Sequence, residues 1–110
     1  MESQEYKPST DTLRWEAIEV LKSVFDPEIP VNIYDLGMIY EIIPREDGHL
    51  RVVMTLTSPT CPVAESLPIE VKEKLSAIPG VTDVDLELTF DPPWDRDMIS
   101  EAAMLELGLL

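Results

Sequence analysis

One cysteine, one histidine and eight basic residues are all that this 110-residue chain offers of the groups that most often carry redox, metal or nucleic-acid chemistry. A single cysteine excludes an internal disulfide. The opening stretch Met1-Glu2-Ser3-Gln4-Glu5-Tyr6-Lys7 lacks the basic start and apolar run of a signal peptide. No uninterrupted apolar stretch is long enough to span a bilayer, so membrane insertion is not expected, and a reducing cytoplasmic setting is. The shortage of Lys and Arg is the other informative absence. Twenty-two Asp and Glu outweigh the eight bases, giving a net charge of -14 spread along the whole chain. Such a surface repels phosphate backbones, which bind clustered cations, so nucleic acid is not an expected partner.

What is present is enough apolar residue for one core. Surface-to-mass scaling gives about 6,000 Å² of folded surface against about 18,000 Å² unfolded, so a single domain folds without staples. Met1 to Ser9 is polar, aperiodic and contains Pro8, and is read as a mobile tail (1–9) before the domain (10–110). From an N-cap at Thr10 or Asp11, Leu13, Ala17, Val20, Leu21 and Val24 recur at helical spacing, with Ile18 and Phe25 widening the stripe. Pro27 biases Asp26 away from helical angles, so the helix is expected to end near there. Residues 26–37 carry two prolines and a glycine and read as a long, ordered connection.

Met38–Ile43 and Arg51–Thr57 are rich in β-formers and flank an Asp47-Gly48 turn, which predicts an antiparallel hairpin. Leu67, Val71, Leu75 and Ile78 then mark a helix closed by Pro79-Gly80. Pro62 suits a first helical position, but Pro68 requires either a kink or a start delayed to Ser66. In Asp83–Phe90, Val84, Leu86, Leu88 and Phe90 alternate with Asp83, Asp85, Glu87 and Thr89, so one face is expected buried and the other wet. Asp95 is expected to cap a last helix with Met98, Ile99, Ala102 and Leu105 as its stripe, ending near Gly108. The predicted class is α+β, a single compact domain in the order α-β-β-α-β-α, with a three-stranded sheet carrying helices on one face.

Cys61 is the first candidate for chemistry. It stands between the second strand and a predicted helix start, where backbone amides carry partial positive charge and favour a thiolate. Glu65 opposes this by raising the thiol pKa. Free cysteines also commonly fill cores, so packing is the competing reading. His49, beside the hairpin turn, has no cysteine or second histidine near it in sequence and is given no catalytic role.

Asp26-Pro27-Glu28, Asp35-Leu36-Gly37, the Thr55-Leu56-Thr57 to Cys61-Pro62 turn and the Pro92-Pro93-Trp94 loop, in this order and spacing, resemble the metal-sulfur cluster assembly factor family, which includes SufT-like and PaaD-like small proteins. The resemblance runs from about Leu13 to Gly108; Thr60 departs from the glycine common there. It implies a compact α+β domain acting in maturation of iron-sulfur proteins in the manner of the SUF system. The partners it implies are iron-sulfur scaffolds, carrier ATPases or client proteins. No GxxxxGK[ST] motif is present, so any nucleotide belongs to such a partner.

The residues themselves limit that chemistry. Clusters are usually held by four thiolates, and this chain brings one, or two in a homodimer. No stable cofactor is therefore expected; a transient iron-sulfur cluster or metal ion shared with a partner through Cys61 is. Asp26, Glu28 and Asp35 could offer oxygen ligands or a docking surface, but beside Pro and Gly such residues more commonly cap turns. Gly37 belongs to the same motif. Thr57 could hydrogen-bond a thiolate or simply suit a strand, and Trp94 could face a partner or cover the core. The leading reading is a non-enzymatic assembly or maturation factor working by protein contacts and transient ligation. The alternatives are a monothiol redox enzyme or transferase using Cys61 as nucleophile, for which no base or resolving thiol is visible, and a thiol-independent module that assembles an oxygenase or other client.

Overall fold

The computed structural model describes residues 9–26, 29–57 and 66–108. Cys61, Glu28 and the first eight residues lie outside the described residues, and with them the placement of Cys61 at a helix start and the mobility expected of the tail. The expected element order holds, with a short 3-10 turn added before the last helix.

Helix α1 (Thr10–Leu21) starts one residue earlier than the sequence reading. Ser9, assigned there to the tail, is the N-cap, and its hydroxyl accepts a hydrogen bond from the Thr12 amide at 3.1 Å. Leu13, Ala17 and Leu21 form the buried stripe. The helix stops at Leu21, well before Asp26, because the chain turns back on itself. Val24 is bonded through its carbonyl to the Ile33 amide at 2.8 Å, and Phe25 bridges Asn32. Phe25, expected on the apolar stripe, is consequently 56% exposed. The connection that follows is part of the core: Val31, Ile33, Leu36 and Met38 are all buried.

Strands β1 (Ile39–Pro44) and β2 (His49–Met54) form the expected antiparallel hairpin, in register from Ile39 opposite Met54 to Pro44 opposite Leu50, with an irregularity between Ile39 and Glu41. Gly48 adopts a φ of 92° at the turn. Strand β3 (Asp83–Leu88) pairs with β2 in parallel, so β2 is central. A parallel return needs a crossover, which helix α2 (Ser66–Ser76) provides. The described helix opens at Ser66. This puts Pro68 in the first turn, where its missing N–H leaves no helical bond unmade. Leu67, Val71 and Leu75 face the core; Ile78 is also buried but sits in the turn after the helix.

Leu50, Val52 and Met54 of β2 are fully buried beneath the helices. The β3 alternation is weaker than its sequence. Val84 is 2% exposed and Leu86 partly buried, but Leu88 and Phe90 are 37% and 39% exposed. β3 is an edge strand, with a neighbouring strand on one side only.

The last helix is also corrected. Asp95 caps only the 3-10 turn Arg96–Met98. Ile99 is extended (φ -68°, ψ 136°), and Ser100 caps a separate α3 (Glu101–Glu106). That break resets the helical phase. Ile99 and Ala103 become the buried pair, whereas Ala102 and Leu105 of the expected stripe are exposed.

Candidate functional site

The amino end of β1 and the carboxyl ends of β2 and β3 lie at one end of the sheet, and the motif-bearing loops meet there. Asp26 is 3% exposed, and its Oδ1 accepts the Ile29 amide at 3.1 Å, so it caps the turn that opens the long connection. Farther along, Asp35 and Asn32 exchange two bonds: the Asn32 side-chain amide donates to Asp35 Oδ2 at 2.9 Å, and the Asp35 N–H donates to Asn32 Oδ1 at 2.8 Å. Both acidic residues therefore have turn-forming partners, as their proline and glycine neighbours predicted.

The same segment is tied to the loop before α3. The Asp35 carbonyl accepts the Ser100 amide at 2.7 Å, and the Leu36 carbonyl accepts the Trp94 indole N–H at 2.7 Å. Trp94 packs against the core cluster, so its ring covers the end of the core while remaining partly open. Gly37 sits where these loops touch, with a φ of 80°; a Cβ there would lie 2.3 Å from the Met98 carbonyl oxygen. Only glycine meets both conditions. Tyr40, which the sequence reading passed over, donates its hydroxyl to the Pro92 carbonyl at 2.7 Å and lies 3.7 Å from Met98 Sδ. Its signal was unreadable in advance because its partner stands 52 residues away.

At the exit of β2, the Thr55 amide donates to the Met38 carbonyl at 2.8 Å, and Thr55 and Leu56 are buried. Thr57 is half-buried and is the last described residue before the stretch containing Cys61. The structure thus brings Asp26, Asp35, Gly37, Thr57 and Trp94 to one end of the domain. His49 lies at the other end, its Nδ1 3.9 Å from Asp83. Among the described residues no group of three or more His, Cys, Asp or Glu could hold a metal ion, and no described helix is long and apolar enough to cross a membrane. On the sheet's outer face, hydrogen bonds to Asp85 and then Glu87 raise the Arg51 pKa above its ordinary value.

Fold and loop cluster define a small α+β domain whose motif-bearing loops meet at one end of a three-stranded sheet. Residues 15–86 match the model of the iron-sulfur cluster assembly protein family. The chain is 50% identical to an Fe-S protein maturation auxiliary factor of Porphyromonas gingivalis, over 84% of this chain and 89% of that protein. It is 38% identical to the Fe-S protein maturation auxiliary factor YitW of Bacillus subtilis, over 90% and 97%. A solved domain of unknown function (DUF59) from Bacillus anthracis superposes with a TM-score of 0.84 at 30% identity, covering 92% of this chain and 96% of that one. The chain belongs to the iron-sulfur cluster assembly protein family.

Proposed function

We propose that the protein is a non-enzymatic maturation factor for iron-sulfur proteins, docking on scaffold, carrier or client proteins and ligating a cluster or metal transiently through Cys61. The observation that carries this reading is the extent of similarity to maturation auxiliary factors, 50% identity across 89% of the length of one of them. The geometry supports it. Cys61 stands four positions after Thr57, which leaves the central strand at the end where Asp26, Asp35, Gly37 and Trp94 gather. A lone thiolate cannot complete a cluster's four ligands, so a partner must supply the rest, which favours hand-over rather than storage. Asp26, Asp35 and Gly37 shape the loops at that end, and Trp94 braces them.

The test is client maturation in cells lacking the protein, complemented with wild type or Cys61→Ser, alongside anaerobic incubation with iron and sulfide followed by visible absorption. Transient ligation predicts loss of client activity, and of any absorption gained on reconstitution, in the variant. Full maturation by Cys61→Ser would leave the thiol a packing group and the protein a docking module alone.

A further inference from the structure

On the outer face of the sheet the side chains of Arg51, Asp85 and Glu87 are partly exposed, and the face is not flat. A cavity of about 610 Å³ opens there between the sheet and the loop after β3. Its floor is Val53, its lining includes Ile39, Pro92 and Met98, and Tyr40 pins the wall through its bond to the Pro92 carbonyl. The charge around this apolar floor is one-sided. Glu41, Val53 and Glu87 are opposite one another across the three strands, so two carboxylates flank one aliphatic side chain, and Asp91 adds a third from the wall. Among the described residues the only cation lining the cavity is Arg51, and both Asp85 and Glu87 already bond it. An anion entering here would meet a guanidinium with its carboxylate partners in place and further carboxylates on either side. A cation would meet uncompensated negative charge above a surface that can receive an alkyl stem.

We propose that this trough is a docking surface for a basic peptide segment of a protein partner, one in which lysine or arginine side chains flank an aliphatic residue. The cations pair with Glu41 and Asp91, and the aliphatic side chain rests on Val53. The proposal assigns no role to Cys61, so it goes beyond the maturation reading and does not depend on it.

The test uses a short synthetic peptide alternating lysine and valine, its glutamate–valine counterpart, and inorganic phosphate, each titrated into the isotope-labelled full chain by NMR. The lysine peptide is expected to shift the amides of Ile39, Glu41, Val53 and Glu87 together. Glu41→Gln with Asp91→Asn is expected to weaken it about tenfold, with the melting temperature held as a folding control. Glu46→Gln, which removes an exposed carboxylate at the hairpin, is expected to leave binding unchanged. Shifts scattered over the acidic surface, equal weakening by Glu46→Gln, or equal binding of the glutamate peptide or phosphate would overturn the proposal. So would sedimentation showing that a second copy of the chain buries these amides.

Discussion

The two ends of the sheet are closed in different ways. At the hairpin end the backbone does most of the work. The Arg45 amide bonds the His49 carbonyl, the Gly48 amide bonds the Arg45 carbonyl, and the Thr82 amide bonds the Gly48 carbonyl. At the motif end, side chains from remote stretches reach across, Trp94 to Leu36 and Tyr40 to Pro92, and the Asp26 carboxylate caps its own turn. The difference teaches that a backbone closure tolerates many side chains, whereas a closure made by an indole, a phenol and a carboxylate needs those residues. The motif end should therefore be the one sensitive to single substitutions.

The sharpest test is where the ends agree. A Cβ on Gly37 would meet the Met98 carbonyl oxygen at 2.3 Å and one on Gly48 the Gly80 carbonyl oxygen at 2.4 Å, both at positive φ. Gly37→Ala and Gly48→Ala should each destabilise by about 3 kcal/mol, left-handed strain adding to the clash, as read by urea unfolding. Gly108→Ala, with open space around it, should lose only about 1 kcal/mol. Equal losses at all three would show that backbone angle alone matters and that the loops do not press on Gly37.

Next in size, Asp26→Ala removes a buried acceptor from the Ile29 amide and should lower stability by about 2 kcal/mol in the same experiment. Trp94→Phe keeps most of the ring but leaves the Leu36 carbonyl without its indole donor; about 1 kcal/mol is expected. The smallest effect belongs to the hairpin. Asp47→Ala loses the exposed bond from the His49 amide to Asp47 Oδ1 and should change stability by about 0.5 kcal/mol or less. A larger loss at Asp47 than at Trp94 would reverse the comparison.

Much of this was legible beforehand where the signal is local. Asp47-Gly48 announced the hairpin, and the stripes Leu13-Ala17-Leu21 and Leu67-Val71-Leu75 announced two helices, because turn angles and helical periodicity involve neighbours in the chain. Misreadings arose where distant contacts intervened. The first helix stops early because the chain turns back so that Val24 pairs with Ile33. The last helix splits at Ile99 and Ser100, where Ser100 is bonded to Asp35. Residues 26–37 look like mere connection because prolines and a glycine hide periodicity, yet they supply Val31, Ile33 and Leu36 to the core. For the site, the motifs marked Asp26, Asp35, Gly37, Thr57 and Trp94 but could not show Tyr40 or Ser100 as their ties.

By itself the sequence determined the element types, the hairpin, the acidic surface and the presence of one thiol, since propensity, periodicity and formal charge are properties of short stretches or of simple counts. Tertiary structure alone decided that β2 is central with β3 parallel beside it, that the motif loops converge at one end, and that acidic side chains surround an apolar trough on the outer face. Those facts depend on which remote segments share a sheet, and pairing across a crossover leaves no mark in the local order of residues.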